Sequence, residues 1–343
     1  ASPWAAACGA ALPLVLLSYS SCVSYAQLIA TGSPVNANVV TSMHLVSSGI
    51  TGLVLPLLSN CPLVVSSADI TVTLLYACVV QDILKGAALL PEVLSEERVA
   101  ATATLALPFN TILMSLALCW IGSKKATVAV SYLPYPVVAG FLGSIGFAIF
   151  RGSFAVLSTT GKAVPIPAGL GTLAREVPSQ LCCAVAMALS SLLLKCCNCR
   201  PRVVAVAPMT VALFGFWLCT LASRADVDSL RSTGWLFPLA EEQPFWQVWA
   251  AQQPEQVYWP LLIPNPSTFL GLGMVLILSL ALRIAGIEGS TGMVLDADEE
   301  VKWTGVSNLA VGFAGCVIGS HSPGLTTFNQ QAGSQCVRAS LVA

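Results

Sequence analysis

The first 84 residues carry only two charged side chains, Asp69 and Asp82. A stretch so nearly uncharged, broken only by short polar turns, is built for lipid, where roughly 20 apolar residues make one helical span. The rest of the sequence continues the pattern: 56% of the 343 residues are apolar and 9% are charged, against roughly 25% charged in an ordinary soluble domain. An all-α polytopic membrane protein follows, because a segment in lipid must satisfy its own backbone. The net charge of −1, with no basic block, argues against a nucleic-acid partner.

Ten spans can be placed. Lys85 is the first basic residue, so the N-terminus lacks the positive region of a cleaved signal peptide, and Ala11 to Thr31 is expected to be a true first span. Its Ser18, Ser20, Ser21, Ser24, Tyr25 and Gln27 suit a helix facing protein or a cavity. The second span, Val39 to Leu58, contains His44, which reads either as a hydrogen-bonded packing residue or as a proton carrier. In the third, Ser66, Ser67, Ala68 and Asp69 interrupt the apolar run. An ionised Asp69 at the bilayer centre would cost on the order of 3 kcal/mol, so it marks a site or a partner, or else caps a helix at the membrane surface.

A polar loop from Lys85 to Arg98 leads to a fourth span, Val99 to Ile121, interrupted by Pro108 and Asn110. Spans five to eight follow at Pro136–Phe150, Gln180–Leu194, Val203–Leu221 and Phe269–Ile287, with a Gly/Pro-rich loop from Gly161 to Pro178. The connection from Ser223 to Ser267 holds Trp235, Trp246, Trp249 and Trp259, a density that suits a membrane interface. A cytoplasmic N-terminus would put Lys124, Lys125, Lys195, Arg200, Arg202 and Lys302 in short cytoplasmic loops. Lys85, Arg98, Arg151, Lys162, Arg175, Arg224 and Arg231 would lie in longer loops opposite, so basic density supports this orientation and raw number does not. Most of the 13 cysteines fall within spans. Cys196, Cys197 and Cys199 read as free thiols or an acyl-anchor site, since a zinc site would lack its fourth ligand.

The stretch from Ile284 to Arg338 organises the rest. Span eight ends with Glu288, a polar turn leads to a ninth span at about Trp303 to Gly319, and a helix restarts after Ser-His-Ser-Pro-Gly. Ser322 can cap the restart and Pro323 suits its first position. At mid-membrane depth such a restart presents unpaired N–H groups and a positive dipole end to whatever lies before it.

Three segments carry a family resemblance. LPYPVVAGFLGSIGFAIFRG resembles the fifth-span signature of SulP transporters, the solute carrier family 26 sulfate-permease group, particularly its divergent vacuolar-type branch. The run from Gly286 to Gly333 resembles that group's spans eight to ten, with an acidic residue on span eight and Glu300, Gly305 and Asn308 around the turn to span nine. SYAQLIATG is similar to the end of its first span. The resemblance implies a SulP/UraA-like 7+7 inverted-repeat fold, with half-helices three and ten meeting at mid-membrane around the substrate. Their starts would be Ser66 to Val72 and Ser320 to Thr327, whose matching hydroxyl-rich breaks suit an inverted repeat.

On this basis the candidate substrate-binding residues are Tyr25, Gln27, Ser66, Ser67, Asp69, Ser320, His321, Ser322 and Thr326. Glu288 falls at the family's coupling carboxylate, with Asp69 a second coupling candidate and Arg283 one partner for Glu288. No organic cofactor or metal is implied, only H+ or Na+ as coupling ion. Asp69 at a helix start would repel an anion, which opens the substrate class to amines, amino acids or proton-coupled solutes.

The sequence stops soon after span ten, so the fold is expected to be truncated there. Core-domain spans one to four would occupy 1–122, gate-domain spans five to seven 123–222, an interfacial non-cytoplasmic loop 223–267, and core-domain spans eight to ten 268–343. The remaining spans and the STAS domain of the family are absent from this sequence, so it is expected to be part of a longer protein, or else to be completed by a second chain or to serve as a structural subunit; the resemblance also implies a homodimer. The expected function is a secondary active transporter membrane domain for a small inorganic anion (sulfate-like, bicarbonate, chloride) or small polar metabolite, proton- or sodium-coupled. It would lie in the plasma membrane or a vacuolar or other organelle membrane. The alternative is a non-transporting structural subunit of a larger membrane complex. A transporter should have a water-accessible cavity between Ser67 and Ser322, where a scaffold should be packed shut. No nucleophile–base pair or metal-ligand spacing points to an enzyme.

Overall fold

The computed structural model describes residues 3–91, 93–132, 134–158, 166, 169–199, 201–236, 246–263 and 265–331. Lys162, Arg200 and the end of the organising stretch, through Arg338, lie outside them. The helices are α1 (Pro3–Ala30), α2 (Ala37–Leu58), α3 (Ile70–Ala88), α4 (Glu96–Ser123), α5 (Val128–Ser131), α6 (Tyr135–Leu157), α7 (Leu170–Glu176), α8 (Pro178–Cys196), α9 (Pro201–Ser223), α10 (Val227–Ser232), α11 (Gln247–Ala250), α12 (Pro266–Thr291), α13 (Ala297–Phe313) and α14 (Pro323–Gln331). Two three-residue strands, β1 (Ser66–Ala68) and β2 (Gly319–His321), immediately precede α3 and α14. Among the described residues, α2, α3, α4, α6, α8 and α12 are long and apolar enough to cross a membrane.

Polar side chains set most helix boundaries. Asn36 caps α2 by accepting from the Asn38 N–H, Asn265 caps α12 with Pro266 at its first position, and Asp296 caps α13. Gly292 ends α12 in the left-handed region at φ 73°, the conformation a glycine adopts without strain. Ser95 starts α4 earlier than expected, and α4 is continuous where an interruption at Pro108 and Asn110 was expected. Asn110 Nδ2 donates to the Ala106 carbonyl at 2.8 Å, and Thr111 and Ser115 likewise bond back one turn. These bonds turn the polar side chains back onto the helix's own carbonyls, so they do not break it. The polar loop is correspondingly shorter, since Lys85 belongs to α3 and Arg98 to α4. The loop from Gly161 to Pro178 contains α7, and the Trp-rich connection contains α10, α11 and a 3-10 turn at Trp259–Leu261.

The chain forms two compact units, Ala1–Ala148 with Pro244–Ala343, and Ile149–Gln243. In the first, α4 and α13 form the most extensive helix pair. Glycine makes that closeness possible: a Cβ on Gly305 would lie 2.7 Å from the Cys119 backbone nitrogen and 2.9 Å from the Ser115 carbonyl. Gly312 packs as tightly on Ile112. Val40, Met43, Leu107, Met114, Leu276, Leu280, Val301 and Val311 belong to the surrounding core. In the second unit α8 packs on α7 and α9, and Gln180 Nε2 donates to the Thr233 carbonyl at 2.9 Å. None of the described side chains of α8 is buried, which suits an apolar helix facing lipid.

β1 and β2 pair antiparallel, with Ser66 opposite His321, Ser67 opposite Ser320 and Ala68 opposite Gly319. Because each strand runs directly into a helix, α3 and α14 leave the ladder in opposite directions. Their N-termini therefore face each other across it.

Candidate functional site

Each of the two helix starts is fitted differently. At α3, Asp69 is the cap: its Oδ1 accepts from the Thr71 N–H at 2.9 Å and from the Thr71 hydroxyl. Its Oδ2 accepts from the Ser320 hydroxyl of β2 at 2.9 Å. At α14, Pro323 takes the first position, and the first intrahelical bond runs from the Thr326 N–H to the Ser322 carbonyl at 2.9 Å. The N–H groups of Gly324 and Leu325 thus precede the helix ladder, and a Cβ on Gly324 would meet only open space. The Ser322 N–H goes to the Val65 carbonyl at 3.0 Å.

Arg283, on α12, joins these starts. Its Nη2 donates to Asp69 Oδ1 at 2.5 Å, its Nη1 to the His321 carbonyl at 2.9 Å and its Nε to Ser279 Oγ at 3.2 Å. Ser279 in turn shares a 2.8 Å hydrogen bond with Thr71. The Asp69 side chain is 1% exposed and that of Arg283 18%, so Arg283 is the less buried member of the pair.

Behind β2 lies a second polar cluster. His321 Nε2 meets Glu300 Oε2 at 2.8 Å, and Glu300 also accepts from the Ser59 hydroxyl and from the Asn60 N–H at 2.8 Å. Asn308 holds the strand itself: its Nδ2 donates to the Gly319 carbonyl at 2.7 Å and its Oδ1 accepts from the Gly319 N–H at 2.9 Å. A cavity of about 400 Å³ opens onto Ser66 and Leu325, one residue from each helix start, with Ser18, Tyr19 and Ser48 among its walls.

The expected site residues distribute unevenly over this arrangement. Asp69, Ser320 and His321 stand at its centre. Ser66 is tied to Thr51 at 2.7 Å, and the Ser67 hydroxyl reaches only the Ala68 carbonyl at 3.3 Å. Thr326 Oγ1 accepts from the Val65 N–H at 3.1 Å, lacing α14 to the segment before β1. Tyr25 packs edge-on against His44 at 6.2 Å and lies within electrostatic reach of Arg283 and Asp69. The Gln27 side chain makes no hydrogen bond among the described residues.

The family profile described as the sulfate permease family matches residues 10–343. The chain belongs to the sulfate permease family. Among solved structures, the transmembrane domain of a cyanobacterium bicarbonate transporter, BicA, is similar with a TM-score of 0.64 at 18% identity, over 99% of this chain and 80% of that one. No curated protein matches the sequence. The all-α polytopic fold expected from the resemblance is thereby established, and the protein is a multi-pass member of a family of anion transporters.

In this member of the sulfate permease family the α12 residue that reaches the helix starts is Arg283. Glu288 lies in the last turn of α12, where its Oε1 accepts from the Leu295 N–H at 2.8 Å and fastens the turn toward α13. Arg283 pairs with Asp69, and the suggested pairing with Glu288 does not form. Five residues along a helix turn the direction by about 140°, so the two side chains leave different faces. Asp69 is both a helix cap and the partner of a half-buried cation, Arg283, the two readings its sequence context left open. His44 is buried at 1% exposure, but neither ring nitrogen has a hydrogen-bond partner, unlike the packing residue expected.

Sequence reading missed Glu300 as the partner of His321, and Ser279, Thr71 and Ser59 as their supports. Arg283 left a signal, since no other basic residue falls within Phe269–Ile287.

Proposed function

We propose that this protein is the membrane domain of a secondary active transporter that binds a small inorganic anion at the start of α14, beside Arg283. The carrying observation is the Arg283–Asp69 pair. An unpaired Asp69 would repel an anion, but a guanidinium bonded to it makes the pair neutral and leaves the positive end of α14 unopposed. The N–H groups of Gly324 and Leu325 and the guanidinium of Arg283 then supply the donors. Sulfate, bicarbonate and chloride are the substrates to test, with a small polar metabolite as the remaining class and H+ or Na+ as the coupling ion.

On the same reading, α1 to α4 with α12 to α14 hold the substrate, and the segment 123–222 acts as the gate. The cavity of about 400 Å³ reaches Ser66 and Leu325 but is lined by neither Ser67 nor Ser322, so a water-accessible path between those two serines is a further thing for the transport test to establish.

The test is flux into proteoliposomes of labelled sulfate, bicarbonate and chloride, for the wild type and Arg283→Gln. Saturable flux of one anion, falling at least about tenfold in a folded Arg283→Gln variant, supports the reading; a tenfold loss corresponds to one good charge-assisted contact. No flux of any of the three would overturn the anion reading, and unchanged flux in the variant would remove Arg283 from the site.

A further inference from the structure

The Glu300–His321 pair is sealed in the protein, with both side chains 0% exposed. Hydrogen-bond bookkeeping around its imidazole defines what the ring carries. Nε2 faces Glu300 Oε2, and that carboxylate already accepts from Ser59 Oγ and from the Asn60 N–H, as an ionised carboxylate does. Nδ1 faces Thr304 Oγ1 at 3.3 Å. The single Thr304 hydroxyl proton can go to the Glu300 carbonyl at 2.7 Å, which leaves its oxygen an acceptor toward His321, or to Nδ1 itself. With the proton on the carbonyl, both ring nitrogens face acceptors and the imidazole that fits carries two N–H groups and a positive charge.

A second arrangement is available. If His321 gives up its Nδ1 proton, the Thr304 hydroxyl can rotate away from the helix carbonyl and donate to the bare nitrogen. The exchange needs no backbone movement. It would leave Glu300 without its counter-charge, so the two states differ in the net charge of the buried pair. The charged and titratable groups facing the pair are few. Arg283 bonds the His321 carbonyl, Asp69 is reached through Ser320, and Cys61 lies near Glu300 beyond the end of α2. Tyr76 of α3 accepts from the Ile318 N–H just before β2. None of these bonds the imidazole.

We infer that His321, held by Glu300 and read by Thr304, is a proton-binding site of this protein and carries the coupling proton. The inference rests on the transporter reading for its purpose but not for its geometry. The backbone of His321 is what Arg283 grips, and the residue precedes α14 by one position, so the proton and a bound anion lie on the same strand end. A positive imidazolium there favours the anion and the anion favours the proton, a reciprocal linkage that gives symport.

The sequence contains two histidines, His44 and His321, which makes the test direct. The full protein labelled with ¹⁵N-histidine in lipid nanodiscs shows two imidazoles, assigned with His44→Gln, and is titrated from about pH 5 to about pH 9, a range that brackets ordinary histidine ionisation. The expected result is that His321 passes between the imidazolium and a neutral ring within that range. Its midpoint should fall by about one pH unit or more in Glu300→Gln, because an opposing charge at contact distance has been removed. Thr304→Val, which deletes the acceptor at Nδ1 without touching the carboxylate, should lower the midpoint as well. A His321 that stays in one form throughout overturns the inference, as does an equal midpoint in both variants and the wild type. These readouts need no transport, so they are separable from a failure of the anion reading. Where flux is measurable, any flux left in His321→Gln should have lost its pH dependence; retained pH dependence overturns the coupling role.

Discussion

Arg283 and Asp69 meet across the start of α3, Nη2 to Oδ1 at 2.5 Å, and the same guanidinium holds the carbonyl of His321 on the opposite strand. One side chain from α12 thus binds both helix starts. Because Asp69 is almost wholly buried, removing Arg283 leaves a carboxylate with no counter-charge. Arg283→Gln and Asp69→Asn should each lower stability by about 3 kcal/mol, and the double variant by clearly less than the sum. Thermal unfolding of the four proteins in detergent checks this, and strict additivity would mean the two groups do not interact.

The ladder register makes a geometric prediction. Directly opposed residues of an antiparallel pair have Cα atoms about 4.5 to 5.5 Å apart, within disulfide range. Ser67→Cys with Ser320→Cys, in a background without reactive native cysteines, should oxidise to a disulfide. Ser67→Cys with Ser322→Cys is displaced by two residues and should need a bifunctional reagent. The reverse preference, read from gel mobility with and without reductant, would show that the register is wrong.

Asn308 satisfies both backbone groups of Gly319 at a point where neither can reach water. Asn308→Ala leaves them unpaired and should cost about 2 to 4 kcal/mol. Asn308→Asp keeps an acceptor for the N–H but faces the Gly319 carbonyl with another acceptor, so it should recover only part of that loss. Melting temperatures of the three proteins give the comparison.

At the α4–α13 interface, Gly305→Val places carbon where the Cys119 backbone already sits, and backbone cannot yield as a side chain end can. Size-exclusion profiles should show little or no folded protein. Gly271→Ala, on α12 with open space around it, should elute like the wild type.

The helices were readable in the sequence because their apolar runs are long, and the two restarts because Ser-Ser-Ala-Asp and Ser-His-Ser-Pro cannot continue a helix unaided. The ladder joining them was not readable, since three residues per strand leave no periodicity to detect. Arg283 was visible as a lone cation in an apolar run, but its partner depended on which face of α12 it leaves, and Glu288 was nearer in sequence than Asp69. Glu300 was hidden for another reason. It stands among Asp296, Asp298 and Glu299 in a helix-capping segment, where an acidic residue is ordinary, and only the fold shows that it alone of the four is fully buried.

The lacing of Val65 to Thr326 joins residues 261 positions apart. During synthesis, the segment leading into α3 is made long before the strand that completes it, and a membrane offers no water to occupy its amides in the meantime. Insertion of α3 and maturation of its N-terminal end are therefore separate events. Until β2 emerges, the nascent protein carries one edge of an unfinished seam, and whatever shelters that edge inside the cell acts before any solute is bound.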